Sequence, residues 1–274
     1  MFRKIFSIKI LVLIFLIFSA IIVGIKIIQK KEKDNKENEI AEISLEANIV
    51  KTDLQKKIPD EESIVNIEQD KEGNQLDNEQ KIPDKILIKV PFTSQAPFTV
   101  WDEFHEEACE EASLVMLRHF FSKKALTKEV AEDEIQELIN FQNKKTGDYR
   151  DTTAQETADL FINFYGEIGE GRSLRVVYDF KKEDLKKYLA RGYPIIVPAA
   201  GRELGNPNFT APGPLYHNLV LVGYDGDIII TNDPGTRRGE GYKYDIDVIY
   251  NAIHDFTGKP EDINRGRKAM IVVE

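Results

Sequence analysis

The chain carries one cysteine, one tryptophan, three methionines and four histidines in 274 residues. A lone cysteine closes no disulfide within its own chain, so Cys109 is left for packing or for chemistry. The few histidines lie far apart with no ligand spacing, so neither a metal nor another cofactor is expected. Positive charge is also scarce: 37 Lys and Arg stand against 47 Asp and Glu, a net charge of -10. Nucleic-acid binding needs clustered cations to neutralise phosphates, and no basic stripe occurs in the globular part, so nucleic-acid partners are excluded. Between residues 29 and 85 there is no Phe, Tyr or Trp at all. Such a stretch cannot bury enough apolar surface to offset its ordering entropy, and residues 29–85 are expected to form a disordered, charged spacer.

Before the spacer lies one long uncharged run. Arg3, Lys4 and Lys9 precede Ile10 through Ile25, and Lys26 follows. The run is shorter than the about 20 residues a spanning helix needs. Snorkelling of Lys9 and Lys26 recruits Phe6, Ile27 and Ile28 to the apolar span. Residues 1–28 are therefore read as an uncleaved signal anchor rather than a cleaved secretory signal. That reading makes the protein a single-pass protein of the cell membrane. The membrane is then a partner through the N-terminal helix, the globular part is extracytoplasmic, and contact with cell wall becomes feasible.

At Ile86 aromatics and β-branched residues return, and residues 86–274 are expected to form one domain of ordinary size. Residues 86–90 read as a strand. Helices are expected over Cys109–Phe121, from Thr127 to about Phe141, and from Thr153, where Thr153-x-x-Glu156 is a capping box, to Gly166. Strand follows at 174–178, helix at 181–191, and strand at 194–198 with prolines at its ends. Residues 217–224 and 227–232 flank a hairpin signal at Asp225-Gly226, residues 247–254 read as helix and 268–273 as a last strand. The order predicts an α+β fold in two layers, with N-terminal helices packed on a C-terminal antiparallel sheet.

Cys109 opens an amphipathic helix, where backbone N–H groups favour a thiolate. A thiol nucleophile needs a base, and the base needs an orienting group. Of the histidines, His105 lies in an acidic loop as a solvated residue. His119 is about 15 Å along the helix from Cys109. His254 falls on a late helix, at the surface. His217 opens a hairpin strand, and Asp233 lies just beyond the return strand. A strict two-residue turn opposes His217 to Pro234. A three-residue loop centred on Asp225, or one bulge, brings Asp233 opposite His217. The roles that follow are Cys109 as nucleophile, His217 as base and Asp233 as the group that fixes the imidazole tautomer. Trp101, Phe209 and Tyr216, the last two in the Gly/Pro-rich loop from Gly201, are expected to face a peptide or protein substrate.

Val90-Pro91-Phe92-Thr93-Ser94-Gln95, the Cys109 helix start, His217 through Tyr224 and Asn232-Asp233-Pro234 together resemble a papain-like cysteine peptidase domain. Within those peptidases they are most similar to family thirty-nine, the bacteriocin-processing double-glycine peptidases and their stand-alone homologues. The resemblance covers nearly all of residues 86–274 and none of the anchor or spacer. It implies cleavage of peptide or amide bonds, with Gln95 donating its side-chain N–H to the oxyanion beside the backbone N–H of Cys109. One departure is Glu110, where members of the family often carry Gly. Glu106, Glu107, Glu110 and Glu111 also crowd the cysteine, which disfavours a thiolate and offers an acidic rim for cationic peptides. A peptidoglycan amidase or acyl transferase using the same residues is one alternative. A catalytically inactive peptide-binding module is another.

Overall fold

The computed structural model describes residues 82–169 and 171–274. The proposed anchor and nearly all of the spacer lie outside them. Residues 82–85, placed in the spacer by composition, belong to the fold. Ile82 packs on the core, and Tyr224 donates its hydroxyl to the Pro83 carbonyl at 2.8 Å.

Among the described residues seven strands form one antiparallel sheet: β1 (Lys85–Leu87), β2 (Leu174–Tyr178), β3 (Ile195–Ala200), β4 (Tyr216–Asp225), β5 (Ile228–Asn232), β6 (Tyr242–Asp245) and β7 (Ala269–Val273). Their order is β2-β7-β3-β4-β5-β6, and β1 pairs with the far end of β4. Among the same residues the α-helices are α1 (Cys109–Ser122), α2 (Lys128–Thr146), α3 (Ala154–Tyr165), α4 (Lys182–Leu189) and α5 (Ile246–Ala252). The fold class is α+β with an antiparallel sheet, as the element order implied. Several elements differ from the sequence reading: the first strand is Lys85–Leu87 rather than 86–90 and the last helix ends at Ala252 rather than 254. β6 is an additional strand, paired with β5. α2 runs a turn past Phe141, because Gln142 is buried and donates to Glu111 of α1. Pro198 lies inside β3, opposite Asn218 of β4. It is tolerated there because the β3–β7 ladder consists of Ile196↔Ile271 alone, so no bond is lost at Pro198 on that side.

The core explains why β4 can hold a site. Tyr216 through Tyr224 are all buried, as expected for a strand with partners on both edges. α1 packs against β4, and α3 packs on β2 and β7. Leu114, Val115 and Met116 of α1 are fully buried, each contributing about 1.5–3 kcal/mol of apolar burial. The α1 start is thereby pinned beside the start of β4. The ladder between β4 and β5 slips between Leu221 and Gly223. A Cβ on Gly223 would lie 2.2 Å from the Ile86 carbonyl of the paired β1 strand, so this position needs glycine.

Candidate active site

α1 begins at Cys109 with Ala108 as its N-cap and no side-chain cap bond. The first-turn amides are therefore not taken by a capping side chain. Cys109 is buried, and the Asn218 N–H of β4 donates to its Sγ at 3.3 Å. The neighbouring residue on β4, His217, is buried as well. Its Nε2 meets Asp233 Oδ1 at 2.8 Å. A carboxylate on Nε2 selects the tautomer protonated there and leaves Nδ1 as a lone-pair acceptor, with no protein partner for Nδ1 among the described residues.

The hairpin reaches this geometry by a route different from both offsets weighed above. Asp225 pairs with Ile228, so the turn is Gly226-Asp227, and beyond the slip Val220 pairs with Asn232. Continuing that register sets Asp233 opposite Leu219. His217 lies two residues along on the same face, so the two meet diagonally, within reach of long side chains. Asp233 is fully buried and saturated with donors. His217 Nε2 and the Gly235 N–H face Oδ1, while the Asn206 side-chain N–H and Tyr244 hydroxyl face Oδ2 at 3.1 and 2.7 Å. Burial alone would raise its pKa, but the nearby His217 and these donors outweigh it, and the net direction is down. Asn206 and Tyr244 were not anticipated. Tyr244 belongs to the strand that sequence patterning missed, and Asn206 sits in the Gly/Pro-rich loop. Gly235 is required by close approach: a Cβ there would stand 2.8 Å from His217 Cε1.

A cleft of about 800 Å³ opens over these residues and is lined by Gln95, Cys109 and His217 together. Trp101 (42% exposed) and Phe209 line it too, and the Phe209 ring meets the His217 ring edge-on at 5.3 Å. Tyr216 also reaches the cleft, but as framework. It is buried, its hydroxyl donates to the Thr152 carbonyl at 2.5 Å, and it accepts from the Asn218 amide at 2.9 Å. Gln95 is differently engaged than the resemblance implies. Its Nε2 donates to the carbonyls of His105 and Glu106 at 2.7 and 3.0 Å, and its buried Oε1 has no hydrogen-bond partner among the described residues.

The acidic rim also needs revision. Glu110 and Glu111 are buried rather than at the surface. The Cys109 thiol donates to Glu110 Oε2 at 2.9 Å, and Glu110 Oε1 accepts from the Thr152 N–H at 2.9 Å. Burial first, then the Glu110 carboxylate, hold the thiol well above its ordinary range, against the lowering effect of the Asn218 N–H. Among the described residues no hydrogen bond joins Sγ to the His217 ring. Burial also raises Glu110 itself, offset in part by the Cys109 thiol and the Thr152 N–H. Asp151, another cleft residue, is pushed up to about 7 by burial and by Glu110 and Glu107. Arg202 and Arg237 also line the cleft, so it is not uniformly acidic.

The other histidines are structural. His105 is buried between Asp102 and Glu132, at 2.7 and 2.9 Å, rather than solvated. His119 bonds Glu134 at 2.9 Å and the Lys124 carbonyl at 3.1 Å. His254 follows the end of α5 and bonds the Gly266 carbonyl at 2.8 Å. Among the described residues no group of His, Cys, Asp and Glu is arranged to hold a metal ion, and no helix is long and apolar enough to cross a membrane.

The chain thus combines an α+β domain with a cysteine at a helix start, a histidine on the central strand and an aspartate behind it. The Peptidase_C39 like family matches residues 87–257, and the chain belongs to that family. Among solved structures, the chain is similar to a protein from Bacillus anthracis described as a C39-like peptidase, at 17% identity and a TM-score of 0.41, covering 69% of this chain and 97% of that one. It is also similar to a fragment of prointerpain A from Prevotella intermedia, at 10% identity and a TM-score of 0.43, covering 70% and 73%. No curated protein matches.

Proposed function

We propose that the protein is a thiol hydrolase of peptide or amide bonds, with Cys109 as nucleophile, His217 as base and Asp233 as its orienting partner. The observation that carries this reading is the His217 Nε2–Asp233 contact of 2.8 Å on a histidine that shares one cleft with Cys109. In the proposed reaction the Cys109 thiol passes its proton to His217 Nδ1 as sulfur attacks the substrate carbonyl carbon. His217 then returns the proton to the leaving amine nitrogen as the C–N bond breaks, and water hydrolyses the thioester. The Cys109 backbone N–H is available for the oxyanion at the uncapped helix start. Gln95 joins it only after its amide leaves the carbonyls it now bonds. Trp101 and Phe209 are proposed to contact the peptide or protein substrate, and residues 1–28 to anchor the domain outside the cell membrane.

A second reading is a peptide-binding module without turnover. It is favoured by two contacts: the engaged Gln95 amide and the Cys109 thiol bonded to Glu110. The separating experiment measures hydrolysis of a broad peptide library by the full-length protein and by Cys109→Ala. Hydrolysis that Cys109→Ala abolishes, with the melting temperature preserved, supports the enzyme. Turnover retained in Cys109→Ala refutes the nucleophile. Binding of the same peptides without any turnover selects the module.

A further inference from the structure

Glu110 touches the sulfur that the reaction needs, from the position directly after Cys109 and from within the core. Its carboxylate is held at both ends. Oε2 accepts the Cys109 S–H at 2.9 Å, and Oε1 accepts the Thr152 N–H at 2.9 Å, with the Thr152 hydroxyl at 3.4 Å. Thr152 is itself tied down, since its carbonyl accepts from Tyr216 and its hydroxyl pairs with that of Thr157 at 2.8 Å. The side chain is therefore built into place between α1, the segment leading into α3, and β4.

We propose that Glu110 is a positioning residue that holds the Cys109 thiol proton in the resting site, so that His217 must compete with a buried carboxylate for the nucleophile. The proposal rests on the Cys109–His217 reading and adds its regulation. The proton accounting is simple. In the resting state sulfur keeps its proton and donates it to Glu110. To form the nucleophile the S–H bond breaks and the proton moves to His217 Nδ1. The thiolate then faces a carboxylate oxygen at the same contact, an unfavourable pair of like charges. The ion pair forms readily only when Glu110 takes up a proton or turns away.

The surroundings of the pair are acidic on three sides. Glu111 lies on α1, Glu106 and Glu107 on the turn before it, and Asp148 and Asp151 on the segment before α3, where Arg150 is the one cation. From β4 come Tyr216 and His217, the latter backed by Asp233. The raised pKa directions of Cys109 and Glu110 agree with this geometry.

The test is the pH profile of Cys109 alkylation by iodoacetamide in the full-length protein, where Cys109 is the sole thiol. Glu110→Gln keeps an oxygen for the Thr152 N–H and turns an amide donor toward sulfur. The expected result is a midpoint lower by about one pH unit or more, with about tenfold faster labelling at neutral pH. Glu110→Gly, which removes the acceptor, is expected to shift the midpoint the same way and serves if the Gln variant does not fold. An unchanged or raised midpoint overturns the proposal. So does an equal shift in Glu111→Gln, a buried neighbour without a contact to sulfur, because general burial of acid would then be the cause. His217→Ala in both backgrounds keeps the two readings apart. A profile insensitive to His217 removes the Cys–His pair while leaving the Glu110 contact standing.

Discussion

Asp151 is a carboxyl that the fold holds against its preference, and relieving it should stabilise the protein in a pH-dependent way. It lines the cleft with φ +43, and burial together with Glu110 and Glu107 pushes its pKa up to about 7. A group whose pKa is higher in the folded chain than in the unfolded chain favours folding at low pH and costs stability as pH rises. For Asp151 the cost grows from about pH 4, the ordinary carboxylate value, to about pH 7, and is complete above that. A shift of about three units is about 4 kcal/mol unscreened, but the side chain is partly open to solvent, which reduces the figure to roughly 1–2 kcal/mol. Asp151→Asn removes the titration and suits the left-handed backbone, since asparagine adopts it readily. The assay is the melting temperature of the full-length protein and Asp151→Asn at pH 4 and pH 8. The variant should match the parent at pH 4 and melt roughly 2–8 °C higher at pH 8, by the usual scaling for a domain of this size. A gain of equal size at both pH values, or a loss at pH 8, refutes the reasoning.

Asp233→Asn leaves four donors facing a side chain with one acceptor oxygen. It should cost roughly 2–4 kcal/mol of stability and abolish hydrolysis together; a melting temperature within about 2 °C of the parent would contradict the buried network. Gly235→Ala places a Cβ 2.8 Å from His217 Cε1 and 3.0 Å from Phe209 Cε1. The imidazole must move, so hydrolysis should fall by about 10²-fold with far-UV circular dichroism unchanged, and full activity would show that His217 is not positioned from that side.

Local chemistry was the most legible part of the sequence. Thr153-x-x-Glu156 predicts a capped helix start, and the capping box forms with both bonds in place. The apolar run from His217 to Tyr224 predicts a buried strand, and it lies at the sheet centre. The short 174–178 strand is found with those bounds because β-branched residues at its middle suit a pleated surface. β6 was missed because Tyr-Lys-Tyr-Asp is too short and polar to stand out, and it is a strand only by pairing with β5. Hairpin register was missed for a related reason. Asp225-Gly226 is a strong local turn signal, yet the turn falls at Gly226-Asp227 and the ladder slips between Leu221 and Gly223, where β1 also pairs with β4, and local turn chemistry carries no signal of either.

The same division runs through the candidate site. Residue types and chain order pointed to Cys109, His217 and Asp233, and the family resemblance added Gln95; Cys109, His217 and Gln95 line one cleft with Trp101 and Phe209, and Asp233 lies behind His217. The protonation of the site depends instead on burial, which no spacing argument measures. A helix start favours a thiolate by partial charges worth at most about 2 kcal/mol. Burial and a carboxylate against the sulfur act in the opposite direction, and they win here: the thiol is held protonated. Glutamate after the cysteine was visible as a departure, and as a surface residue it would have been screened to little effect. Its consequence follows from being sealed inside with its carboxylate bonded to Thr152 and to the sulfur. The reactivity of Cys109 is thus decided by the segment between α2 and α3 as much as by the helix that carries it. Variants of Asp151, Thr152 and Glu110 should therefore move the pH profile of Cys109 together, whereas changes at Arg202 and Arg237 should leave it in place.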